Sequence, residues 1–337
     1  MKKKVSLKDV ARHVGVSTAL VSYVVNNKEK EARVGAAMAK KIEKAVKDLN
    51  YQPNLIAKSL KSGRTSTIGL IVADISNPFF STIARIIEDE ARKLGYVVIF
   101  GSSDESDEKS QTLIEVLMNR QVDAFIIAPA RNTEKQVLQL QKRNIPVVLI
   151  DRYFPKIGVD SVHINNAQAA FDAVNYLIGK GRKRIAMISY CTTLAHIVER
   201  KAGYRHALDQ NRIRYDASFV KNISFQNLEK DVAAEVGQLL DIKPKIDALF
   251  FATNTLAVES LKILNMYGVK IPDDIAIVSF DESEVFDFFY APLSYIQQPL
   301  EEIGKQAIAL VNEKIYEPVP TQTRTIVLDA KLVIRKS

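Results

Sequence analysis

The sequence predicts a small all-helical unit followed by a two-lobed α/β core of mostly parallel sheets with helices on both faces. Three observations lead there. Residues 1–64 hold fifteen Lys and Arg against five Asp and Glu, whereas the remaining chain holds 32 against 34, so the whole basic excess lies at one end. Apolar residues in that segment recur at helical spacing around a single glycine. Beyond Thr67, short β-branched runs alternate with amphipathic helical stretches, the pattern of βα units.

Each element has a local reason. Leu7, Val10, Ala11 and Val14 share one helix face, and Ser6 with Asp9 forms a capping-box pattern. Gly15 supplies a left-handed turn, Ser17 caps a second helix, and Leu20, Val21, Val24 and Val25 make its inner stripe. A third helix is expected over about 36–49. Pro53 ends the preceding helix, 54–60 fit two helical turns, and 63–67 form a polar linker. The expected divisions are 1–52, a hinge over 53–66, and a core over 67–337. Within the core the first lobe takes about 67–163 plus 294–325, and the second takes about 164–293 plus the C-terminal strand.

At 337 residues with 47% apolar content, the chain suits several packed cores. A lone cysteine, Cys191, forms no intramolecular disulfide; the basic start lacks an apolar stretch behind it, and no apolar run suits a membrane span. These features predict a cytoplasmic protein without membrane association. No G-x-G-x-x-G follows a strand, no phosphate-binding loop occurs, and the four histidines form no metal-ligand pattern, so neither enzyme activity nor a cofactor is expected. A basic N-terminal unit favours a polyanion, because Lys and Arg at phosphates release condensed counterions.

The spacing of Ala11, Gly15 and Val21 is that of a helix-turn-helix, in which a small residue admits the second helix, glycine turns the chain and a branched residue locks the pair. The runs SLKDVARHVGVSTALVSYVVNN, LNYQPNLIAKSLKSGRTSTIGLIVADISNPFF, RQVDAFIIAP, IPVVLIDR and IPDDIAIVSFDES together resemble the LacI/GalR family of bacterial transcription regulators. The resemblance implies an N-terminal helix-turn-helix, a hinge helix, and a periplasmic-binding-protein-like core that dimerises and senses a small molecule, commonly a sugar. It places Ser17 to Asn26 in the major groove, with Thr18, Ala19 and Tyr23 toward base edges, and Ser17, Ser22 and Asn26 touching phosphate or supporting the helix. Many members carry arginine where Tyr23 stands; a tyrosine hydroxyl and an alanine methyl read bases less sharply than a bidentate guanidinium. Leu60 matches the hinge leucine that wedges into the minor groove, and Ala57 is small enough for two hinge helices to lie side by side. The stretch between Asn27 and Tyr51 departs from the family pattern, being about three residues longer before its third helix and having Gly35 where a capping serine is usual.

Ligands of two-lobed α/β proteins bind outside the carboxyl ends of strands. Asp74 and Ser76, Asp151 and Arg152, Asn254 and Asp281 follow predicted strands, and Arg200 occupies a position where the family commonly has a ligand-binding arginine. Phe79, Phe80 and Phe225 supply apolar walls. Carboxylates, amides and arginine with an aromatic face suit a sugar. Other roles remain open: Asp151 and Asp281 as loop-holding groups, Asn254 as a helix cap, Phe79 as packing, and Glu199 or Asp281 as a structural partner of Arg200. A nucleobase co-repressor, a phosphoprotein partner, and a solute-binding protein without DNA function are the alternative readings. Two recognition helices on one face of DNA imply a homodimer on a near-palindromic operator, and the absence of leucine heptads at the C-terminal end argues against a helical tetramer tail.

Overall fold

The computed structural model describes residues 5–52, 63–316 and 322–337, so the sequence assignments at Ala57 and Leu60 lie outside the described residues. The chain divides into two units, Met1–Thr65 and Ser66–Ser337.

The first unit holds α1 (Leu7–Val14), α2 (Thr18–Val25) and α3 (Ala36–Asp48). Both halves of the predicted capping box form at Ser6 and Asp9. Gly15 then closes α1 at φ 77°, a conformation that costs an L side chain its usual steric comfort, and its N–H donates to the carbonyl of Ala11. Ser17 caps α2 by accepting from the N–H of Leu20 at 3.2 Å. Val10, Val21 and Ile42, one from each helix, are wholly buried against each other. The extra residues ahead of α3 make successive turns, with Asn27 and Arg33 at positive φ and Val34 donating to the carbonyl of Glu29 at 2.8 Å. Gly35 caps α3 without a side-chain bond.

The second unit contains two six-stranded sheets. The first comprises β1 (Thr67–Val72), β2 (Val97–Ser102), β3 (Ala124–Ile127), β4 (Val147–Ile150), β5 (Asp160–Ile164) and β11 (Thr325–Leu328), in the order β11-β5-β4-β3-β1-β2. The second comprises β6 (Ile185–Tyr190), β7 (Val220–Ile223), β8 (Ala248–Phe251), β9 (Ala276–Phe280), β10 (Ser294–Gln297) and β12 (Lys331–Val333), in the order β12-β10-β9-β8-β6-β7. Every pairing is parallel except that of β10 with β12. Burial on both faces explains the continuous apolar runs of β3, β4 and β8.

The helices that cover the first sheet include α4 (Pro78–Lys93), α5 (Asp107–Asn119), α6 (Glu134–Lys142) and α12 (Leu300–Tyr316). Those of the second include α7 (Asn166–Gly179), α8 (Ala195–Gln210), α9 (Leu228–Asp241), α10 (Asn254–Met266) and the short α11 (Glu284–Phe288). The chain passes between lobes after β5, after β10 and after β11.

This topology corrects the expected lobe limits. The segment 294–297, assigned by sequence to the first lobe, is β10 of the second sheet, and the first lobe runs on through Leu328. A four-residue buried strand carries no mark of which sheet it joins; its hydrogen-bonding neighbour decides that.

Glycine marks one close helix approach. A Cβ on Gly203 of α8 would lie 2.1 Å from the carbonyl oxygen of Ala167 on α7, whereas one on Gly237 of α9 would meet only the Tyr267 hydroxyl at 3.7 Å. Gly203→Ala is expected to lower stability by about 1–3 kcal/mol through overpacking. Gly237→Ala should leave it unchanged or raise it by up to about 1 kcal/mol; thermal melts of the two variants measure the contrast.

Candidate functional sites

In the helical unit, α2 presents Thr18, Ala19 and Tyr23 to solvent, Tyr23 being 44% exposed, while Val21 and Val24 face inward. The Asn26 amide donates to the Ser22 carbonyl at 2.7 Å, so these two residues tie off the last turn of α2. These three exposed side chains lie on one face of α2, in a strongly basic segment.

In the core, the carboxyl ends of both sheets open onto a cleft between the lobes of about 870 Å³. It is lined from the first lobe by Asp74, Phe79, Phe80, the loop after β2, and Asp151 with Arg152 after β4. From the second lobe come Tyr190, His196, Arg200, Phe225, Thr253, Thr255 and Asp281. Asn77 of the first lobe donates to the Thr255 hydroxyl of the second at 3.3 Å.

Buried charge organises this cleft. Arg152 makes a bidentate pair with Glu105, at 2.6 and 2.8 Å, and donates to the carbonyl of Pro129 at 3.3 Å. Arg200, 1% exposed, donates to Asn166 at 2.9 Å and to the carbonyl of Ala252 at 2.7 Å, faces the Phe280 ring at 3.6 Å, and lies 3.8 Å from Asp281. Burial lowers the Arg200 pKa, with Asp281 and Asp151 opposing. Burial likewise disfavours charge on Arg152, but Glu105 and Asp151 together more than offset it and the pKa is raised.

Asp151 and Asp281 close corresponding strands of the two lobes in the left-handed region, at φ 62° and 64°, a strain that aspartate tolerates better than most residues. Burial raises both carboxyls, Asp281 to about 6, against the pull of the neighbouring arginines. Asp281 also accepts from the Gln298 amide at 2.6 Å. His196 is buried, and desolvation followed by the charges of Arg152 and Arg200 pushes its pKa well below the ordinary value, so the imidazole is neutral. Its Nδ1 has no hydrogen-bond partner among the described residues. Tyr190 and Phe225 stack at 4.0 Å, and burial pushes the Tyr190 hydroxyl up to about 12.

Of the residues expected at the effector site, Asp74, Phe79, Phe80, Asp151, Arg200, Phe225 and Asp281 line the cleft. Ser76 and Asn254 do not. Ser76 is exposed outside the lining and donates its backbone N–H and hydroxyl to Asp74 at 2.9 and 2.6 Å, a local turn that orients the carboxylate. Asn254 is buried at the first position of α10, where its amide donates to the carbonyl of Glu282; Thr253 is the cap, accepting from Leu256. Thr253 and Thr255, on either side, line the cleft instead. Sequence reasoning missed Glu105, Tyr190 and His196. Glu105 follows β2 and Tyr190 ends β6, so both were within reach of the strand-end rule, whereas His196 sits in a helix with no distinguishing spacing.

Residues 6–54 match the family described as bacterial regulatory proteins, lacI family, and residues 65–336 match periplasmic binding proteins and sugar binding domain of LacI family. The chain belongs to the LacI family. It is 32% identical over 333 residues to the HTH-type transcriptional repressor CytR of Escherichia coli, covering 98% of this chain and 96% of that protein. It is also 32% identical over 332 residues to the ribose operon repressor of Halalkalibacterium halodurans, covering 98% and 96%. The lac repressor dimer bound to operator shares the fold, with a TM-score of 0.86 at 23% identity over 99% of both chains. This LacI-family protein is thus a DNA-binding transcriptional regulator under effector control.

The raised Asp281 carboxyl has a consequence for stability. The folded core retains a proton that the unfolded chain releases near its ordinary value of 3.8, so this contribution is full below about pH 4 and is lost as pH rises through about 6. Asp281→Asn is expected to remove up to about 3 kcal/mol of that pH dependence. Denaturant titrations of both proteins at pH 4 and 7 provide the comparison, and equal pH profiles would contradict the assignment.

Proposed function

We propose that this regulator is a repressor that binds a near-palindromic operator as a homodimer and responds to a sugar held in the interlobe cleft. The single observation that carries the effector reading is the cleft itself, in which charged and hydroxyl groups from both lobes converge beside a stacked Tyr190 and Phe225. Asp74, Asp151, Arg200 and Asp281 meet hydroxyls, while Phe79, Phe80 and Phe225 cover apolar ring faces. On the DNA side, Thr18, Ala19 and Tyr23 contact base edges, Ser17, Ser22 and Asn26 position α2, and Ala57 and Leu60 form the hinge contact at the operator centre. With Tyr23 in place of an arginine and only a methyl at Ala19, specificity leans on DNA deformability and half-site spacing.

Two sets of exposed apolar side chains suit a second copy. One set is Val97, Ile99 and Phe100 on the edge strand β2; the other is Met266, Tyr267, Phe288 and Tyr290 around α10 and α11. An unpaired, apolar edge strand in a monomer is a liability that a dimer interface removes. A regulator of this kind works in the cytoplasm, where the DNA is, and carries out no catalysis. The relatives' names point the same way: a ribose operon repressor and the repressor CytR. The Tyr190–Phe225 pair favours a second reading, a nucleobase or nucleoside, whose flat ring stacks on such a platform.

Selection of random duplexes by the full chain should return an inverted repeat. Scanning fluorimetry against pentoses, hexoses, nucleosides and nucleobases should then show one class raising the melting temperature, since ligand at about 100 times its Kd adds about 2.7 kcal/mol. Selected sites without dyad symmetry would contradict the dimeric reader, and a silent panel would contradict the effector assignment.

A further inference from the structure

The cleft carries a charge imbalance that narrows its ligand further. Seven carboxylates line it against three guanidiniums. The loop after β2 contributes Asp104 and Glu105, and the first turn of α5 contributes Asp107 and Glu108; Asp104 pairs with Lys109 outside the lining, which still leaves the lining net negative. The buried guanidiniums are largely occupied: Arg152 by both oxygens of Glu105, with its Nε 3.4 Å from Asp151, and Arg200 by Asn166, the Ala252 carbonyl and the Phe280 face. Among the lining residues Arg131, exposed at the rim, is the one further guanidinium. A phosphate in a partly desolvated site needs free charge-assisted donors, and leaving it beside carboxylates costs several-fold in affinity for each close like charge. The neutral His196, whose buried Nδ1 in the cleft wall has no partner among the described residues, offers a hydrogen bond without adding positive charge.

We propose that the cleft selects against anions, its effector being an uncharged or cationic, unphosphorylated ring compound rich in hydroxyl or amine donors. The carboxylates Asp104, Asp107 and Glu108 are the residues that enforce this choice. The inference rests on the cleft being the effector site, and it separates free sugars and nucleosides from their phosphate esters.

Cys191, the sole cysteine of the chain, is exposed in the cleft lining and serves as a local probe of potential. In the full chain at low salt, the thiol is modified in parallel by a cationic and an anionic methanethiosulfonate, each rate normalised to a small free thiol. The cation is expected to react roughly tenfold or more faster than the anion, with the ratio shrinking as salt screens the field. Lys201, a cation that interacts with Cys191, is held by the Tyr190 carbonyl and Asn222 and stays the same in every variant. The variant Asp104→Asn, Asp107→Asn, Glu108→Gln should therefore isolate the carboxylates and collapse the ratio toward one; Asn at 104 also accepts the positive φ of 50° found there. A wild-type ratio near one or favouring the anion, or a ratio unmoved in the variant, overturns the proposal. In scanning fluorimetry of ribose, glucose and common nucleosides beside their monophosphates, stabilisation by the unphosphorylated member supports it and stronger stabilisation by the ester overturns it. Failure of every compound would count against the effector reading of the cleft, while the reagent ratio would still decide its charge preference.

Discussion

The core depends on two buried guanidiniums being satisfied where its lobes meet. Arg200 projects from α8 between strand ends, bonded to Asn166 and the Ala252 carbonyl and stacked on Phe280. Arg152 holds the loop after β2 through both oxygens of Glu105. Burying such charges costs several kcal/mol each unless hydrogen bonds and opposite charges replace the lost water. The network supplies both, and Asp151 and Asp281 lie beside it at the cleft floor, their carboxyls raised by burial against the pull of the arginines. The geometry that a ligand meets is therefore set before it arrives.

The same network explains why some residues belong to the scaffold more than to the ligand. Arg200 lines the cleft, yet its guanidinium is largely committed to protein groups, with Asp281 at 3.8 Å. Ser76 holds Asp74, and Gln298, just past β10, holds Asp281 from the crossing between lobes. A crossing segment that bonds a cleft carboxylate is well placed to register what the cleft contains.

Much of this was legible in the sequence because periodicity records burial. The cap at Ser6, the turn at Gly15 and the inward valines of α2 follow from spacing alone, and the strand-end rule pointed to Asp74, Asp151 and Asp281, which line the cleft. What failed was information that only tertiary partners hold. Ser294–Gln297 reads as a strand in either lobe until β9 claims it. Asn254 follows a strand, but a one-residue shift along the first turn of α10 turns Thr253 and Thr255, not Asn254, into the cleft. His196 owes its neutral state to burial first, then to Arg152, distant in sequence, and Arg200, one turn along the same helix; the burial is set by tertiary partners that no local pattern announces.

The central claim is that occupancy of the interlobe cleft controls DNA binding by the helical unit. The most direct measurement is operator affinity of the full chain with and without the effector identified by thermal shift, in wild type and in Arg200→Met. The account predicts that the variant still binds the operator but no longer responds to the effector. An effector response of wild-type size in the variant would contradict it.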